Sequence, residues 1–131
     1  MDAHDIIWNS VKEKVFCSRD EYIERIKDWT LHEIVRNGEL AGVVMIKENE
    51  IHCAVNDAFR GRWGFKDSIS LLLPGMVTQT DKRNMTARRF LERLGFRFKY
   101  EDEYDAHYEY EADAEGATGI ALYRLRRKNL P

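Results

Sequence analysis

The pair Asn37-Gly38 constrains this chain most, because it lies between two strand-like runs, Leu31-His32-Glu33-Ile34-Val35-Arg36 and Glu39-Leu40-Ala41-Gly42-Val43-Val44-Met45-Ile46. Asparagine and glycine tolerate the two positive-φ positions of a tight hairpin turn, so the runs are expected to pair antiparallel. A second polar turn, Lys47-Glu48-Asn49-Glu50, separates Ile46 from Ile51-His52-Cys53-Ala54-Val55. The expectation is a meander of three consecutive antiparallel strands, around which the rest of the chain is arranged.

Before the meander, Ser18-Arg19-Asp20-Glu21 reads as a capping box, in which the serine hydroxyl takes a backbone N–H and the glutamate reaches back. It predicts a helix from about Arg19 to Asp28 with Tyr22, Ile23, Ile26 and Trp29 as its apolar stripe. Ile6, Ile7, Val11, Val15 and Phe16 have helical spacing, although Ile6-Ile7-Trp8 fits the opening of a strand equally well. After the meander, Asp67 to Leu73 reads as a helix ended by Pro74-Gly75, and Met76 to Thr80 as a short strand. Asn84 or Thr86 can cap a helix that runs to Leu94, with Ala87, Phe90, Leu91 and Leu94 on one face and Gly95 as its stop. Phe96 to Tyr100 and Ile120 to Leu125 read as strands, and Trp8, Trp29 and Leu71-Leu72-Leu73 as core. The class is therefore α+β, a mixed and mainly antiparallel sheet flanked by helices, in a single domain over residues 1–131.

Composition excludes several functional classes. The longest uncharged stretch, Ser68 to Thr80, is interrupted by Pro74-Gly75 and falls short of the ~20 apolar residues of a membrane-spanning helix. Two cysteines, Cys17 and Cys53, are too few for a disulfide framework, and Met1 to Asp5 lacks the pattern of a secretory leader, so a cytoplasmic setting and free buried thiols are expected. His32, His52 and His107 make no metal-ligand spacing with either cysteine, so no metal is expected and each histidine reads as structural or surface. A net charge of −2 gives no global attraction to nucleic acid or membrane. Locally the balance differs. Lys82, Arg83, Arg88, Arg89 and Arg93 make one helix and its entry basic, a face that can meet nucleic acid, an acidic surface of a second copy, or water. Residues 101 to 115 hold eight acids and no Lys or Arg, interleaved with Tyr104, Tyr108 and Tyr110. That segment can be a strand extension, a long hairpin loop or a flap, and its tyrosines suit a surface for a protein partner.

Two motifs in this order resemble the GNAT superfamily of acyl-CoA-dependent N-acyltransferases, over about residues 31 to 125. The first, Phe59-Arg60-Gly61-Arg62-Trp63-Gly64-Phe65, stands between the last meander strand and a helix, where the family has its Gly-containing cofactor turn. The second, Asn84 to Phe96, is similar to the family's Asn-initiated helix ending in Gly-Phe. Backbone N–H groups at such a strand-to-helix turn converge into a diphosphate cradle. The resemblance implies acetyl-CoA held by Arg60, Gly61, Arg62 and Gly64, its pantetheine arm along Ile51 to Val55 beside Cys53 and Val55, and Asn84 on the cofactor's far side. In a transferase a base must also deprotonate the amine, and Glu33, Glu50 or Asp57 can serve through a water.

The chain departs from the family pattern at two devices. Trp63 and Phe65 stand where small residues are required, and Leu91 stands where the family often has the tyrosine that protonates the departing thiolate. Leucine carries no transferable proton. Arg89 to Phe96 is also similar to small, degenerate GNAT-like proteins of tailed bacteriophages, some of them head-assembly or virion components, and the N-terminal half resembles a head-assembly protein family of short-tailed phages. The reading that follows is a GNAT-fold protein with eroded catalytic motifs that acts through protein contacts in phage particle assembly. The alternative is an acyl-CoA-dependent N-acetyltransferase acting on a basic amine.

Overall fold

A computed structural model describes residues 1–59 and 71–111. These fall in two compact units, Met1–Ser70 and Leu71–Pro131. Together the described elements are three α-helices and six strands, paired antiparallel within each unit, the α+β class expected from the sequence.

In the first unit, α1 (Ala3–Val11) and α2 (Arg19–Arg25) precede β1 (Thr30–Arg36), β2 (Glu39–Lys47) and β3 (Glu50–Val55). The ambiguous N-terminal segment is helical. Asp2 accepts from the Asp5 N–H at 2.8 Å while the Asp5 carboxylate accepts from the Asp2 N–H at 3.0 Å, a capping box that satisfies two donors of the first turn. Ser18 and Glu21 close the expected box on α2. That helix ends at Arg25, three residues before the expected Asp28, because Ile26 leaves helical geometry and the Trp29 N–H turns back to the Ile26 carbonyl.

The meander forms as predicted, in the order β1-β2-β3. Asn37 (φ 52°) and Gly38 (φ 78°) occupy left-handed backbone at its first turn. Glu48 (φ 54°) does so at the second, in a conformation that side-chain-bearing residues rarely adopt. One register shift, between Ile34 and Val35, kinks β1. Ala3, Ile6 and Ile7 of α1 and Ile26 just past α2 pack on Val43, Met45 and Ala54, with Tyr22, Trp29, Leu31 and Leu40 around them. A short 3-10 turn, Asp57–Phe59, follows β3, anchored where the Asn56 amide donates to the Leu40 carbonyl at 3.1 Å.

The second unit contains β4 (Val77–Asp81), α3 (Met85–Leu94), β5 (Phe96–Glu101) and β6 (Asp105–Tyr110), with strand order β4-β6-β5. Leu71 to Leu73 are not helical, contrary to expectation: the residue before Pro74 is pushed toward extended backbone, and Gly75 (φ 90°) turns the chain into β4. The remainder of the expected 67–73 helix lies outside the described residues. Asn84 caps α3 through the Ala87 N–H at 3.1 Å, and Gly95 (φ 111°) ends it, both as predicted.

The acidic segment is no flap over its described part. Residues 105–110 form the strand between β4 and β5, and Ala106, Tyr108 and Tyr110 on one face are essentially inaccessible to solvent. Along β5 the register shifts between Phe98 and Tyr100, which leaves Lys99 as an extra residue without a partner in the ladder. The strand expected at 120–125 lies outside the described residues. Among the described residues no helix is long and apolar enough to cross a membrane.

Candidate functional site

The candidate bases are spread along the meander. Glu33 pairs across β1 with Val43, and Val43 with Ala54, so these three stand in one row of the sheet. Glu50 begins β3, about 13 Å along the strand from Ala54 at the usual rise per residue. Asp57 lies beyond the end of β3, exposed in the 3-10 turn. Strand alternation places Glu33, Glu50 and His52 on the face that carries Val43, Met45 and Ala54, the face covered by α1 and α2. Cys53 and Val55 lie on the opposite face, with Ile51.

Glu50 acquires a partner that sequence reasoning did not assign. Its carboxylate lies 2.5 Å from His52 Nε2, and the Trp29 ring stands 5.5 Å from the imidazole. A carboxylate on one ring nitrogen holds the orientation of a histidine. The signal was the i, i+2 spacing, which puts two side chains on one face of a strand. His52, read from sequence as structural or surface, is a half-buried member of an acid–base pair.

The cofactor residues divide differently. Arg60, Gly61, Arg62 and Gly64, with Trp63 and Phe65 between and after them, lie outside the described residues. Cys53 is exposed on β3 and Cys17 is half-buried, in contrast to the buried thiols that the sequence predicts. Val55 is half-buried at the end of β3. Asn84 commits its side-chain oxygen to the cap of α3. Leu91 sits on the last turns of α3, four residues before Gly95.

In the second unit, the three tyrosines do not share one surface. Tyr104 is 70% exposed at the β5–β6 turn, while Tyr108 and Tyr110 are core residues, each 1% exposed. The basic residues also separate. Arg88 turns inward, donating to the Tyr108 hydroxyl, the Lys82 carbonyl and Glu101, each at 2.9 Å, with its guanidinium 5.5 Å from the Phe98 ring centre. Arg83 pairs with Asp81 at 3.1 Å, and Lys82 reaches the Asp102 carbonyl. Arg89 and Arg93 remain on the exposed side of α3. At the hairpin turn, Asp102 accepts from the Tyr104 and Asp105 N–H groups at 3.0 and 2.8 Å and lies 2.7 Å from His107 Nε2. The Tyr100 ring stacks on His107 at 4.3 Å. Among the described residues no three His, Cys, Asp or Glu side chains converge as a metal site would require.

The sequence matches no protein-family profile and no curated protein. The fold does match solved structures. A provisionally assigned phosphinothricin N-acetyltransferase aligns over 82% of this chain and 89% of its own, with TM-score 0.55 and 16% identity. The ribosomal-protein-S18-alanine N-acetyltransferase of Escherichia coli aligns over 88% of this chain and 94% of its own, with TM-score 0.53 and 13% identity. The chain therefore has a GNAT-like fold, as its motifs suggested. The similarity to bacteriophage head-assembly proteins finds no support among these matches.

Proposed function

We propose that this chain keeps the GNAT scaffold without its acyl-transfer chemistry and acts through protein contacts. The observation that carries this reading is Leu91. Helix α3 is fixed at both ends, by the Asn84 cap and the left-handed Gly95, so the position four residues before Gly95 is unambiguous in the fold. Where the resemblance calls for a tyrosine to protonate the leaving thiolate, this chain has an aliphatic side chain. The sequence resemblance gives particle assembly in a tailed bacteriophage as the setting of that role, and the structural matches do not add to it.

A second reading, acyl-CoA-dependent transfer to a basic amine, is favoured by the Glu50–His52 pair. It offers an oriented imidazole that can take the amine's proton, and both structural matches are N-acetyltransferases by name.

Isothermal titration calorimetry with acetyl-CoA and with free CoA separates the two. The scaffold reading expects no heat and no thermal stabilisation by either compound. Binding in the micromolar range, roughly −8 kcal/mol, overturns it and makes the transferase reading the one to pursue, with His52→Ala and an amine panel next.

A further inference from the structure

The first unit has a cleft of about 570 Å³ between the start of α1 and β1, lined by Asp2, Ala3, His4, Leu31, His32 and Glu33. That volume lies within the usual range for binding pockets. The cleft adjoins an open sheet edge, because β1 ends the β1-β2-β3 order and pairs with β2 alone among the described residues. From Thr30 to Ile34 the pairing with β2 is regular, and the register shift comes only after Ile34. Five consecutive residues thus present straight strand geometry on the side away from β2, where unpaired backbone groups can accept a further strand.

The chemistry of the cleft selects what that strand carries. Leu31 and Ala3 belong to the apolar cluster beneath α1 and give the cleft a hydrophobic wall. Glu33 is exposed and makes no hydrogen bond or ion pair with the described residues. Asp2 spends one oxygen on the Asp5 N–H, and Arg19 sits closer to Asp5, at 2.9 Å, than to Asp2, at 3.9 Å. Glu33 is therefore left without a cationic partner among the described residues, and Asp2 shares Arg19 with Asp5, beside an apolar wall. This combination matches a lysine or arginine, whose stem lies along apolar surface while its head reaches acid and water. Acidic segments are disfavoured by the same two charges.

We propose that the outer edge of β1 docks an extended segment of a partner protein, paired along Thr30–Ile34, with a lysine or arginine of that segment in the cleft. The stem rests on Leu31 and Ala3 and the head meets Glu33 and Asp2. This inference rests on the reading of the chain as a protein that works through protein contacts, and it names the chemistry of the contact.

The probe is a fluorescein-labelled hexapeptide alternating valine with lysine, compared with its counterpart carrying glutamate for lysine. Fluorescence anisotropy measures affinity at low salt, and backbone amide NMR shifts locate the contact. Saturable binding of the lysine peptide is expected, with shifts centred on Leu31 to Ile34 and an affinity at least about tenfold above that of the glutamate peptide. Glu33 is exposed, so Glu33→Lys should fold normally and weaken binding by about tenfold or more. Equal affinity for the two peptides, indifference to Glu33→Lys, shifts elsewhere, or no binding up to roughly 1 mM overturns the proposal. The calorimetric titration with acetyl-CoA reads the underlying functional assignment separately. A chain that binds both cofactor and lysine peptide loses the scaffold reading and keeps the docking edge, and a chain that binds neither loses the docking edge alone.

Discussion

Arg88 donates from Nε to the Tyr108 hydroxyl at 2.9 Å, so a charged helix residue satisfies a phenol that solvent cannot reach. Two residues further along β6, Tyr110 is as deeply buried, yet its hydroxyl has no hydrogen-bond partner among the described residues. The two phenols should respond to deletion with opposite signs. Tyr108→Phe removes a made hydrogen bond and strands the Arg88 donor, and should lower stability. Tyr110→Phe removes an unsatisfied buried group, and should be neutral or stabilise by up to about 1 kcal/mol. Urea denaturation of the two variants checks this, and a loss for Tyr110→Phe comparable to that for Tyr108→Phe would show that the second hydroxyl has a partner after all.

The turns of the meander offer a second sign test. An added Cβ at Gly38 meets nothing within 4 Å, so Gly38→Ala carries only the cost of left-handed backbone, about 1 kcal/mol. Glu48 already bears that cost at φ 54°. Glu48→Gly should therefore raise the thermal midpoint while Gly38→Ala lowers it.

Acid should loosen the β5–β6 hairpin. The Asp105 N–H, the His107 imidazole and the Tyr104 N–H hold the Asp102 carboxyl down to about 2, against an ordinary value of 3.8. The folded state then binds fewer protons than the unfolded chain between these values. The stability from this carboxylate is complete above its ordinary value and is lost as the pH falls toward about 2. Asp102→Asn should shrink the slope of stability against pH over that window. The slope should not vanish, because Asp5, held down by the Asp2 backbone and Arg19, and Glu111, held down by Lys99, act in the same direction. An unchanged slope in urea titrations would remove Asp102 from the account.

Leu94 closes the buried face of α3 at 4% exposure. Leu94→Asp places a charge there and should cost more than about 3 kcal/mol. Near-wild-type melting would mean that this face of the helix is not packed.

What the sequence made legible was local and chemically loud. Asn37-Gly38 demands positive φ twice, Ser18 and Glu21 form a reciprocal cap, and Asn84 and Gly95 bracket a helix, and each feature reappears in the fold. β6 was obscured because its buried alternation, Ala106-Tyr108-Tyr110, is interleaved with His107, Glu109 and flanking acids, so the average polarity of the segment hid its period. The cap of α1 was missed because aspartate fills both places usually held by Ser or Thr and by Glu. The Glu50–His52 pair needed the strand to be in place before its spacing meant anything. Tyr108 and Tyr110 were read by composition as surface aromatics, and only the central position of their strand turns them inward.

The extra residue at Lys99 bears on how the molecule behaves when crowded. Among the described residues β5 ends the β4-β6-β5 order and carries Phe98 and Tyr100, 47% and 56% exposed, so a straight β5 would offer an aromatic template to any neighbouring strand. The bulge breaks that ladder at its midpoint, and Arg97 and Lys99, both paired with Glu111, place polar groups along it. Deleting Lys99 should restore an uninterrupted ladder and raise the propensity of concentrated solutions to grow fibres, read as thioflavin fluorescence against the native chain.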